Sequence, residues 1–365
     1  MKRWKMPLLL LLVSLPVPGA AALWQVRQAE QLLSLLEQAP DEALPDMTSS
    51  ADALRAALGG GDPQRLESVS TAGALRLARA LRFGTRTDPK WEIEGDGDVS
   101  ALEAGLEAAV LEDRIPAFFD AQRPRHPDYA ALRRAFAAET DPEKRRIMGR
   151  NLERWRWMPR QLGHRHLIVN IPAFETVLWE NGRAVASWPV IVGKTKTPTP
   201  VFATIATGAI FNPWWDIPPS IVAESVGALV RKRPAEARRQ GYVVVDGRYR
   251  QRPGPRNSLG RVKLVMPNAH NVYLHDTPAK ALFARQVRAF SHGCVRTSDA
   301  LGLARTLIAH PEWNDAAIER TLQDGKTITV KFTESVPVYI AYFTASANSD
   351  GQIVLHPDIY RKDRN

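Results

Sequence analysis

The chain of 365 residues carries 49 Lys and Arg against 39 Asp and Glu, a formal charge of +10, with ten tryptophans and one cysteine. A hydrophobic share of 44% supplies real cores, and the length favours two or three domains. One cysteine excludes an internal disulfide framework and leaves an intermolecular bridge, a reactive thiol or a small buried hydrophobe.

The opening MKRWKMPLLLLLVSLPVPGAAALW sets Lys2, Arg3 and Lys5 before the apolar run Pro7 to Leu15 and the small residues Ala20, Ala21 and Ala22. That order predicts a secretory signal peptide over 1–22 and an exported, periplasmic protein. The run falls short of the ~20 residues a membrane helix needs, and no later stretch reaches that length. Without the three leader cations, 46 basic residues still face 39 acidic ones, and +7 suits an anionic polymer. No nucleic-acid-binding signature accompanies the charge, and solubility alone also accounts for it.

From 23 to 158 the apolar spacing is helical. WQVRQAEQLLSLLEQA repeats at three and four, and Ser50 is expected to cap ADALRAAL before Gly59, Gly60 and Gly61 stop it. RTDPKWEIEGDGDVS reads as a loop. A helix opens after Pro127, and Asp141-Pro142-Glu143 provides a cap and first-turn proline for KRRIMGRNLERWRWM. From 159 to 365 alternation takes over, in HLIVNI, FETVLWE and RAVASWPVIVG, with Asn181-Gly182 as a two-residue hairpin turn. More strands are expected near VFATIATGAIF, RVKLVM, NVYLH, TITVKF and VPVYIAYFT, with short helices over 298–309 and 316–322. The fold class is α+β, an all-helical module followed by a β-rich mixed sheet or sandwich. The proline-rich, cationic stretch 212–257 is too long for a connector; it is expected to be a lid, a plain surface excursion being the alternative.

The lone cysteine lies in RAFSHGCVR. A nucleophilic thiol needs a base, an exposed turn and donors for its oxyanion. His275, ending NVYLH, is the favoured base for Cys294; His292, two residues before the thiol, is the second candidate or a buttress of the turn. Gly293 permits positive φ and close backbone approach. The amides of Gly293 and Cys294 are expected to face outward at the start of a following helix, which would favour thiolate. Ser291 is expected to brace the turn. Arg296 suits a substrate carboxylate, or equally an acidic side chain of the loop itself. Trp214 and Trp215 offer stacking surfaces under the lid, or ordinary core.

The block YLHDTPAKALFARQVRAFSHGCVR resembles the active-site signature of the L,D-transpeptidases, the YkuD-type catalytic domain. NLERWRWMP, LIVNIPAF, VGKTKTPTP, FNPWWDIPPSI, PGPRNSLG and SDGQIVLHPDIYRKD are similar, in order, to segments of the YcbB-like branch. The resemblance covers roughly 150–365 well and the helical scaffold over 23–158 more weakly. It implies that Cys294 accepts an acyl group, His275 is its base, His292 and Gly293 shape the oxyanion turn, and Tyr273 lines the site. It implies peptidoglycan stem peptides as donor and acceptor, 3-3 or 1-3 links, and no cofactor. Two departures stand out: many members have Asn where this chain has Arg296, and the peptidoglycan-binding module usual before NLERWRW is missing.

Three rivals stay open. The same thioester serves an L,D-carboxypeptidase or endopeptidase if water resolves it. A zinc hydrolase would draw on His270, His275, His292 and Cys294 or Asp276, at spacings that match no familiar zinc pattern. A non-catalytic wall-binding scaffold would leave the thiol inert.

Overall fold

The computed structural model describes residues 24–95 and 97–363, so the leader expected over 1–22 lies outside the described residues. Helices Val26–Glu37, Thr48–Gly60, Pro63–Phe83, Val99–Leu111 and Ile115–Gln122 bury Leu32, Leu36, Leu54, Leu77 and Phe119 together. Each such side chain contributes about 1.5–3 kcal/mol on leaving water. Asp62 caps the longest of these helices by accepting from the amides of Gln64 and Arg65. Ser50 is no cap: the helix begins at Thr48, so Ser50 lies in its first turn.

The next two helices, Pro127–Ala138 and Pro142–Arg156, turn their apolar faces to the sheet instead. Asp141 accepts from the amides of Glu143 (2.9 Å) and Lys144 (3.1 Å), fixing where the second begins. Its Trp155 stacks between His126 and Phe343, with ring centroids 4.4 and 4.5 Å away. Inside the supposed loop, Trp91–Glu92 forms a short parallel strand on Val201–Phe202. No described helix is long and apolar enough to cross a membrane.

Strand Ile328–Ala341 runs between Val201–Phe211 and Arg165–Asn170. Next come Glu175–Glu180, Arg183–Gly193, Val295–Thr297, Leu274–His275 and Val262–Val265, and the last pairs back onto Val201–Phe211. The mixed sheet therefore closes into a ring of eight strands, which removes its free edges. The turn between Glu175–Glu180 and Arg183–Gly193 has Asn181 at φ 49° and Gly182 at φ 77°, both left-handed, as a two-residue type I′ turn demands. TITVKF and VPVYIAYFT are one strand, 328–341, with a register shift between Lys331 and Val336.

Within 212–257, Trp215–Asp216, Arg248–Gln251 and Tyr242–Val245 form a separate antiparallel sheet, flanked by helices Gly227–Lys232 and Pro234–Arg239. Trp215, Ile217, Val226 and Leu259 make its small core, against which Tyr273 packs. The segment is thus a folded cap set over one side of the ring.

Candidate active site

The ladder beneath that cap assembles the site. Leu274 pairs with Val295 and His275 with Arg296. Leu274 and Val295 face the core, at 1% and 0% exposure, so Tyr273, Cys294, His275 and Arg296 share the opposite face. Lys263, which pairs with His275 from the next strand, joins them. One face thus holds a thiol, an imidazole, a phenol and two cations.

Cys294 is half-buried, its Sγ 3.7 Å from the carbonyl oxygen of Asn271. Burial pushes the thiol above its ordinary pKa; the Tyr273 backbone and the charges of Arg296 and Lys263 pull the other way. Burial, helped by Arg296, holds the His275 imidazole down to about 3, against hydrogen bonds to the backbone of Asp276 and Leu259. Its Nδ1 lies 2.5 Å from the Asp276 carbonyl oxygen, which only accepts. Nδ1 therefore carries the proton, and Nε2 keeps the lone pair a base requires. Among the described residues no hydrogen bond joins Sγ to the imidazole of His275 or His292.

The turn is braced from within. Ser291 Oγ donates to the Cys294 carbonyl (2.5 Å) and accepts from the Gly293 amide (3.1 Å). Gly293 sits at φ +117°, where a Cβ strains the backbone by about 1–3 kcal/mol. Thr199 Oγ1 donates to the Gly293 carbonyl at 2.7 Å. The Gly293 amide is thus committed to Ser291 and does not face outward; the Cys294 amide has no acceptor among the described residues. Nor does a helix follow the thiol. Val295–Thr297 is captured as a strand between Leu274–His275 and Ile191, and the helix starts only at Ala300. The thiol therefore does not sit at a helix start, which would have favoured thiolate.

His292 is engaged by the cap, its Nε2 2.8 Å from Oε2 of Glu224. Arg296 is largely buried with no acidic partner among the described residues, and its Nε is unsatisfied. Trp215 is 8% exposed in the cap's own core rather than an open stacking surface, and Trp214 lies under the Arg250 guanidinium, 4.7 Å from its ring. Lys263, whose Nζ stands 4.6 Å over the Tyr273 ring, escaped sequence reading. Burial lowers its pKa, and Asp216 and Cys294 oppose that. RVKLVM marks a strand, but nothing local says that its lysine faces His275. Glu224 and Thr199 escaped for the same reason, contacting the turn from 68 and 94 residues away. No three His, Cys, Asp or Glu side chains converge as a metal site among the described residues. His270 is instead bound to Glu92 at 2.9 Å.

A thiol, a buried imidazole and a glycine turn thus lie together on adjoining strands. Residues 164–340 match the L,D-transpeptidase catalytic domain family, YkuD, and residues 19–136 match a family described as Scaffold domain. Just under half of the chain is thus similar to the L,D-transpeptidase catalytic domain of the YkuD type. A curated Haemophilus influenzae protein, provisionally described as an L,D-transpeptidase, is 30% identical over 222 residues. That alignment covers 55% of this chain and 45% of that protein, so the chain spans less than half of the relative's length. Among solved structures, Mycobacterium tuberculosis L,D-transpeptidase 3 with a faropenem-derived adduct is 16% identical, covering 48% of this chain and 60% of that one, at a TM-score of 0.26. A cysteine-to-serine mutant of the Enterococcus faecium L,D-transpeptidase is 10% identical over 74% of this chain and 82% of that one, at 0.27. At those scores neither likeness carries an argument.

Proposed function

We propose that the protein is an exported, periplasmic L,D-transpeptidase that joins peptidoglycan stem peptides through a thioester on Cys294. The observation that carries this reading is the shared face of Cys294, Tyr273, His275 and Arg296 beneath the cap, inside a matched L,D-transpeptidase domain. His275 takes the thiol proton as Sγ attacks the carbonyl of an L-centred stem residue. The Cys294 amide is the oxyanion donor, since the Gly293 amide is already used. The tetrahedral species expels the distal D-residue as an amine, which receives the proton from His275. A side-chain amine of a second stem then attacks the thioester, His275 again relaying the proton, and the thiol returns. One amide is broken and one is formed, so no nucleotide is consumed.

Arg296 supports the reading because an unpartnered, largely buried guanidinium gains most from a substrate carboxylate. The His292–Glu224 contact ties the cap to the turn, and a closed cap favours an amine over water as acceptor. Links of the 3-3 or the 1-3 type are both compatible with this site.

Purified disaccharide-tetrapeptides incubated with wild type and with Cys294→Ala test the proposal by mass spectrometry. Cross-linked dimers with the wild type alone are expected, and their fragmentation identifies the bond. Shortened monomers without dimers would assign a hydrolase, and products independent of Cys294 would overturn the reading.

A further inference from the structure

Behind the catalytic turn, a cleft of about 1080 Å³ opens between the helical module, helix Pro142–Arg156 and the C-terminal residues 359–362. Six cations line it, Arg86, Lys90, Arg150, Arg154, Arg361 and Lys362, against two acids, Asp88 and Glu92. The acids are engaged, Asp88 with Lys362 at 3.7 Å and Glu92 with His270 at 2.9 Å, and Arg154 is paired with Asp363 at 2.8 Å. Arg86, Lys90, Arg150 and Arg361 have no ion pair among the described residues. Burial and the nearby charges of Arg86 and Arg154 hold the Arg150 guanidinium below its ordinary pKa. Like charges gathered in a concave site raise the local concentration of anions.

The cleft is coupled to the site through one side chain. Thr199, in its wall, donates to the Gly293 carbonyl at 2.7 Å, while its amide donates to the Tyr360 hydroxyl at 3.2 Å. That hydroxyl donates in turn to the Gly193 carbonyl at 2.6 Å. A chain lying in the cleft would therefore rest against the residues that shape the nucleophile's turn.

We infer that this cleft is a second binding site, which docks a carboxylate-bearing peptide of the wall polymer and does for this chain what a separate wall-binding module would do. The inference rests on the wall-peptide reading of Cys294. A peptide fits better than a phosphate polymer on two grounds. Asp88 and Glu92 would repel a uniform polyanion yet suit the ammonium groups of a zwitterionic stem, and Trp157, Pro198 and Pro200 offer apolar wall.

The test is co-sedimentation with purified sacculi, using full-length Cys294→Ala protein so that turnover plays no part. Arg86→Glu with Arg150→Glu is expected to weaken binding by about tenfold at low salt. The difference should vanish with sacculi whose carboxyl groups have been amidated. The same pair of changes in a chain that keeps Cys294 should leave its alkylation by iodoacetamide within about twofold, which separates docking from the thiol's chemistry. If charge reversal unfolds the protein, Arg86→Gln with Arg150→Gln gives the same comparison at smaller amplitude. Sedimentation equal to the parent's would overturn the inference. So would a loss of affinity confined to a polyphosphate probe, with sacculi still bound. Failure of the muropeptide reaction, by contrast, would refute the thioester reading and leave this measurement intact.

Discussion

Replacing His275 with Gln is expected to slow acylation of Cys294 by about 10²- to 10⁴-fold, the usual contribution of a positioned general base. The ring is 4% exposed and anchored through Nδ1 to the Asp276 carbonyl, so its orientation is set before substrate arrives. Glutamine keeps a donor and much of the volume but offers no imidazole lone pair. Circular dichroism and the thermal midpoint check that the fold persists, and intact-mass time courses with a carbapenem give the rate. His292→Gln is expected to cost less, because that ring is engaged with Glu224 in the cap. If His292→Gln proves the more damaging change, the base has been wrongly assigned.

The second large effect is a separation between two pH profiles. Burial keeps His275 neutral down to about 3 and raises the Cys294 thiol, so one protonation state, neutral thiol with neutral ring, spans the neutral range. Base-assisted acylation draws on that state and is expected to be flat from about pH 5 to 8. Simple alkylation by iodoacetamide needs free thiolate and should climb about tenfold per pH unit, with no plateau below the ordinary thiol range. A preformed thiolate–imidazolium pair would instead level the alkylation profile below neutrality. The same depressed histidine gives a sign for stability. The unfolded ring takes a proton near 6.5 and the folded ring only near 3, so stability falls as pH drops through that window.

The turn around the thiol was legible because its contacts are local. Ser291 to Cys294 is a contiguous motif, Asn181-Gly182 forces its own turn, and Asp141 caps a helix whose donor amides lie two and three residues on. What escaped depends on distant pairing. Closure of the ring needs Gly208 beside Val265, and Lys263 reaches the site only because its strand pairs with Leu274–His275. The segment after the thiol carries a helical pattern, and the sheet overrode it: Val295 to Thr297 gain ladder partners on both sides, so the helix waits for Asp299 to cap it. Trp215 was open between a stacking surface and ordinary core, and the structure puts it in the core. Its partners, Val226 and Leu259, come from elsewhere in the cap.

The most direct measurement of the central idea is the intact mass of the folded protein after exposure to imipenem near neutral pH. Because Cys294 is the only thiol, a single adduct has one possible sulfur to occupy. The expected result is one imipenem mass added per wild-type chain and none on Cys294→Ala. An unmodified wild type with a titratable free thiol, or an adduct that survives in Cys294→Ala, would contradict it.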